Sequence, residues 1–142
     1  MLKKLFTFTL IVLASLTSQA LNYTVSFDKV KSHYVSVAID FDAAGKDFVD
    51  FEVPVWTPGS YKVREFSNAY ENVKAGELPI TRVDKNTWRI ETKGAAAVKL
   101  SYDVYCFAVS VRQSYADEKY AFLHGVSTFG YLQGYEKEEI TL

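Results

Sequence analysis

The densest reactive chemistry in the 142-residue chain lies in one short stretch, VWTPGSYKVREF, from Val55 to Phe66. The Arg64 guanidinium can hold a carboxylate through two parallel hydrogen bonds, so it is equipped to grip the acidic end of a substrate. The same group can pair with a structural carboxylate such as Glu65 or stack on a neighbouring ring, and that structural role is the nearer reading. Thr57-Pro58-Gly59-Ser60 has proline second and glycine third, the order of a type II turn. Proline presets φ near −65°, and glycine accepts the positive φ that follows. Trp56 and Tyr61 flank this turn. On its residues alone it reads as a hairpin corner with aromatic packing. Arg112, in VSVRQSY, follows a hydrophobic run and is weighed in the same way, with the end of a strand to cap.

Other chemistries lack their parts. A zinc hydrolase needs two or three ligands at fixed spacing, such as His-Glu-x-x-His on a helix. This chain has only His33 and His124, each without a partner at ligand spacing, so each reads as a hydrogen-bonding or surface histidine. There is no Gly-x-Ser-x-Gly elbow and no phosphate loop. The single cysteine, Cys106, cannot form an internal disulfide, and its apolar neighbours predict a buried, inert thiol.

Residues 1–20 read as a cleaved secretory signal. Lys3 and Lys4 give a positive start, Leu5 to Leu16 is uncharged and mostly apolar, and Ser18-Gln19-Ala20 ends in small residues. The apolar run is too short and wrongly flanked for a membrane span, and no lipid-anchoring cysteine follows it. The expectation is an exported protein, periplasmic or secreted, with no membrane attachment after cleavage. Losing Lys3 and Lys4 leaves 14 of the 16 basic residues against 17 acidic ones, a net charge of about −3. No basic stripe is available to neutralise phosphates, which argues against a nucleic-acid partner.

Residues 21–142 must then position the candidate groups as one domain, and strand signals dominate it. Val35, Val37, Ile39 and Phe41 alternate with polar or small residues, the period of a half-buried strand. Tyr23, Val25 and Phe27 do the same, as do Val49, Phe51, Val53 and Val55. The stretch ITRVDKNTWRIET predicts a hairpin with its loop near Asp84-Lys85-Asn86. In AVKLSYDVYCFAVSV one parity is apolar from Val98 to Cys106, and the other turns apolar at Phe107, Val109 and Val111. That predicts either burial on both faces or a register shift at a bulge. Two short strands are expected around Gly125, and a helical turn fits near Arg64–Val73. The fold class is all-β, an antiparallel sandwich or a strongly bent sheet, following the signal helix. The final YEKEEITL alternates like a strand in progress, which predicts a further segment beside it.

Three blocks, VPVWTPGSYKVREF, DKNTWRI and YDVYCFAVSVRQSYADEKYAFLHGVSTFGYLQG, together resemble the N-terminal domain of metallopeptidase family sixty-one, the glycyl-aminopeptidase type. The likeness covers nearly all of residues 22–142. It implies a β domain that precedes a thermolysin-like zinc domain and a PDZ-like domain, in enzymes that remove N-terminal Gly or Ala from peptides. The zinc ligands and general base of that family have no matching position here, so no catalytic residue and no metal or cofactor is carried over. Zinc belongs to the absent catalytic domain. Trp56, Tyr61, Arg64 and Phe66 match the first motif as binding or interface candidates, with Pro58, Gly59 and Ser60 as its turn. Arg112 and Tyr115 match a second block. The implied role is a non-catalytic β domain that supports a zinc-peptidase domain, in cis or as a partner chain, and walls its substrate cleft. The alternative is an autonomous exported β-sandwich that binds a peptide or a protein.

Overall fold

The computed structural model describes residues 20–142. The expected leader, residues 1–20, therefore lies outside the described residues apart from Ala20. Period-two patterning sets the strands. Strand β1 (Leu21–Ser26) buries Leu21 and Tyr23. Strand β2 (Tyr34–Phe41) buries every second residue from Val35 to Phe41. After β3 (Val49–Glu52) come β4 (Tyr70–Lys74), β5 (Ile80–Arg82), β6 (Thr87–Ile90) and β7 (Val98–Tyr105). The chain then adds the short β8 (Tyr115–Ala116) and β9 (Ala121–Phe122), one helical turn α1 (Gly125–Thr128), β10 (Tyr131–Leu132) and β11 (Ile140–Thr141). The expected helical turn is a 3-10 turn at Phe66–Ala69.

Two sheets face each other, ordered β11–β1–β2–β7–β4 and β10–β3–β6–β5, with β8–β9 as a separate hairpin. This is the all-β sandwich expected, antiparallel throughout except where β11 runs parallel to β1 at Leu21–Ile140 and Asn22–Thr141. Aromatic rings fill the space between the sheets. Phe51 of β3 lies 5.0 Å from the Tyr102 ring of β7 and 5.9 Å from Trp88 of β6. Tyr70 of β4 stacks on Tyr102 at 5.0 Å. Rings of this size each remove roughly 150–250 Å² from water, so a few of them dominate the core. The β5–β6 hairpin turns where predicted, because the Asp84 carboxylate accepts the Asn86 N–H at 2.7 Å.

Two patterns ended sooner than the sequence predicted. Strand β3 stops at Glu52, ahead of Pro54, which has no N–H to offer a ladder. More consequentially, β7 stops at Tyr105 and becomes neither doubly buried nor bulged. Phe107, Val109 and Val111 stand 54, 93 and 76 % exposed. The cause lies in the neighbouring strand. Tyr105 pairs with Tyr34, the first residue of β2, and His33 before it turns the chain aside with φ 62°. Past Tyr105, β2 has no residue left to pair. A bulge does occur, but on the other neighbour, between Glu71 and Lys74 of β4, where Asn72 takes φ 53°.

That bulge serves a buried charge. Asn72 donates to the Asp103 carboxylate at 2.8 Å, Ser36 donates at 2.6 Å, and Lys29 at 2.8 and 2.9 Å. Burial alone would raise the Asp103 carboxyl, but the Lys29, Ser36 and Asn72 hydrogen bonds outweigh it and hold the group below the usual range. A depressed folded pKa contributes stability above the ordinary carboxylate value of about 3.9, and that stability is lost as pH falls further. Asp103→Asn should therefore lower stability at neutral pH by about 2 kcal/mol and remove part of the acid limb. Urea midpoints between pH 3 and 7 check this. A variant that keeps the wild-type pH profile would contradict it.

Candidate functional site

The turn at the first motif forms as its residues dictate. Gly59 takes φ +79°, and the Ser60 N–H donates to the Thr57 carbonyl at 3.0 Å. Its arms build no ladder beyond a Thr57–Ser60 bridge, and the Arg64 N–H ties them once more, to the Val55 carbonyl at 2.6 Å. Trp56 and Tyr61 are 53 and 95 % exposed, so the expected aromatic packing at the corner is absent. Arg64 does not pair with Glu65. Its Nη2 reaches Ser60 Oγ at 3.4 Å, and its Nε is buried without a partner. Glu65 instead accepts from Lys85 at 2.7 Å and Asn68 at 3.2 Å. The Lys85 bond chiefly holds its carboxyl below the ordinary value. Phe66 is buried and anchors the following 3-10 turn to the core.

The second block lies across from the first. The Arg112 N–H donates to Ser110 Oγ at 3.2 Å; this residue belongs to the loop after β7 and does not cap the strand end. The Tyr115 hydroxyl donates to Asp117 at 3.0 Å, which raises its pKa, and its ring stacks on Tyr120 at 5.2 Å. His33 joins this hairpin to the sandwich. Its Nδ1–H donates to the Ala116 carbonyl at 2.8 Å, and its ring meets Phe107 at 4.2 Å. Behind the loop, buried Ser114 shares hydrogen bonds with Ser127 at 3.2 Å and Thr128 at 2.5 Å and accepts the His124 N–H at 2.9 Å. These hydroxyls fasten the loop to α1.

Between the two blocks lies a depression of about 310 Å³. Glu65, Phe66 and Asn68 form one wall, and Phe107, Gln113 and Ser114 belong to the other. The structure thus gathers Phe66 with the neighbours of Arg112 and Tyr115, while Trp56 and Tyr61 do not line this depression. Sequence reasoning missed Asn68 in the 3-10 turn and Gln113 and Ser114 in the loop after β7, polar residues that no periodicity marks. It noted Phe107, Val109 and Val111 but expected them inside. Cys106 is buried as expected, and burial raises its thiol to about 11. Among the described residues no three His, Cys, Asp or Glu gather as metal ligands, and no helix is long and apolar enough to cross a membrane.

The comparisons with known proteins agree with this architecture. The Peptidase M61 N-terminal domain family matches residues 22–142. Among solved structures, an aminopeptidase N family protein from Idiomarina loihiensis superposes with a TM-score of 0.73 at 24 % identity. The match covers 81 % of this chain and 20 % of that one, so the chain spans about a fifth of the longer protein. No curated protein matches.

Proposed function

Because the chain belongs to the Peptidase M61 N-terminal domain family, we propose that it is the non-catalytic β domain of an exported zinc aminopeptidase, acting periplasmically or after secretion. In this reading it braces a separate peptidase domain, in cis or as a partner chain, and lends a wall to the substrate cleft. The zinc and the general base reside in that other domain. The observation that carries the reading is the family match over residues 22–142. One feature of the surface supports it. Trp56, Tyr61 and Val63 stand exposed on and beside the turn, and aromatic side chains are among the types enriched where protein surfaces meet. A second reading, an autonomous module that binds a peptide or a protein, is favoured by the exposed Phe107, Val109 and Val111.

The test is direct. The purified chain, given zinc and a glycyl or alanyl reporter substrate, is expected to show no turnover. Chelator-sensitive cleavage, with zinc bound in a one-to-one ratio, would show that the domain catalyses by itself and end this reading.

A further inference from the structure

We propose that the outer edge of β1 from Tyr23 to Ser26, with the apolar groove beside it, takes one added strand of alternating apolar and polar residues, supplied by the separate peptidase domain. That supplier rests on the function proposed above; the seat itself rests on the ladder and the groove. Strand β1 has six residues and a full partner on one side only. On that side β2 pairs with Asn22 through Ser26, whereas on the other β11 pairs with Leu21 and Asn22 alone. The Leu21 N–H faces β11, where it donates to the Glu139 carbonyl. Backbone groups alternate sides along a strand, so the N–H and carbonyl of Val25, four residues on, face the same way. Among the described residues no strand meets them there. A bare edge accepts a further strand, whose backbone bonds supply affinity while pockets for alternate side chains supply specificity.

The groove fixes the chemistry of that strand. It holds about 450 Å³, is walled by Pro54, Val126, Phe129, Ile140 and Leu142, and has no charged side chain in its lining. Its two phenols carry no charge near neutral pH. The Tyr23 hydroxyl is spent on the Gly130 carbonyl, and burial, aided by the Glu52 carboxylate, pushes Tyr131 up to about 12. A charged group would shed water here without gaining a partner, so apolar side chains are what the groove favours. The register supplies the alternation. Leu21 and Tyr23 are buried, while Asn22 and Thr24 between and beyond them are exposed. Carried one step past Thr141, the β1–β11 register sets Leu142 beside Tyr23, and both line the groove. A strand continuing this row turns every second side chain toward the groove and the others toward water. The seat prolongs an existing ladder, which favours a chain segment over a free small molecule. A bare edge beside an apolar groove is an aggregation hazard unless it is kept covered, which favours a constant neighbour such as the peptidase domain.

The experiment titrates the whole chain with the peptide acetyl-Lys-Val-Thr-Val-Thr-Val-Lys-amide and follows backbone amide exchange. At saturation the Val25 amide is expected to exchange at least about tenfold more slowly than in the free chain. A second peptide with proline in place of the central valine lacks one N–H and should bind at least about fivefold more weakly, the factor one backbone hydrogen bond contributes. Leu142→Asp changes an exposed side chain at the lip of the groove. It should weaken the first peptide about tenfold with an unchanged far-ultraviolet spectrum. No binding, equal binding of the proline peptide, slowed exchange near Val109 and Phe122 but not at Val25, or pairing of two copies through this edge would each overturn the proposal. Failure here with no turnover of a reporter substrate removes this seat alone; turnover removes the non-catalytic reading beneath it.

Discussion

Phe51→Ala is expected to cost about 3–5 kcal/mol of folding stability, the range for emptying a buried aromatic site. Native domains hold only about 5–15 kcal/mol in total, so this one change should remove a large fraction of the stability. Phe51 is fully buried, its ring touches Trp88, Tyr102 and Tyr70, and those rings come from both sheets. Phe51's own strand cannot shift inward to refill the space without straining its ladders with β6 and β10. Urea unfolding monitored by near-ultraviolet circular dichroism measures the loss. A midpoint close to wild type would mean that the rings do not join the sheets as described. Phe51→Leu, which retains most of the volume, should recover a large share of the stability.

Gly130→Ala should be nearly as damaging, for the opposite reason. A β-carbon at Gly130 would press into the buried Phe51 ring and stand 2.9 Å from the Glu52 carbonyl oxygen. Neither can yield easily, because Phe51 is wedged among three rings and Glu52 belongs to the ladder with β10. Overfilling of this kind costs roughly 1–3 kcal/mol and sometimes more. Gly130 is also stitched to β1 and β7 of the facing sheet: Tyr23 donates to its carbonyl at 3.0 Å, and its N–H donates to Tyr102 Oη at 3.3 Å. Displacing it should loosen the Tyr23 hydroxyl, whose burial now raises its pKa to about 12. It should also pull α1 from Ser114 and so disturb the depression. Spectrophotometric titration of the tyrosines and thermal melts would register both effects. A variant with wild-type melting and an unchanged titration would refute the packing described.

The sequence disclosed which way side chains face far better than what they face. Val35, Val37, Ile39 and Phe41 alternate, and every one is buried. Asp84 to Asn86 turn the chain because an Asx side chain can cap its own loop. The Pro58–Gly59 turn is likewise local chemistry, complete within four residues. Phe107, Val109 and Val111 carry the same alternation and are exposed, because burial requires a neighbouring strand and β2 has already begun its turn at His33. No pattern within residues 107–111 encodes where another strand ends. The Asp103 cluster escaped notice for a similar reason: Lys29, Ser36 and Asn72 are far from it in sequence and meet it only through pairing and a bulge. Of the candidate site, Phe66 and the neighbourhood of Arg112 and Tyr115 were legible as motifs. Their convergence was not, since it depends on where β7 ends.

The parallel contact of β11 with β1 has a kinetic consequence. Leu21 donates its N–H to Glu139 at 2.8 Å, a hydrogen bond spanning almost the whole described chain. Synthesis delivers β1 more than a hundred residues ahead of β11, so the outer edge of β1 waits bare until Glu139 has been made. Contacts this distant in sequence form late and slow the overall rate, because a long loop must be closed before they return any energy. During that wait the open edge can be captured by another unpaired strand, which places the hazard of aggregation in the interval before β11 docks.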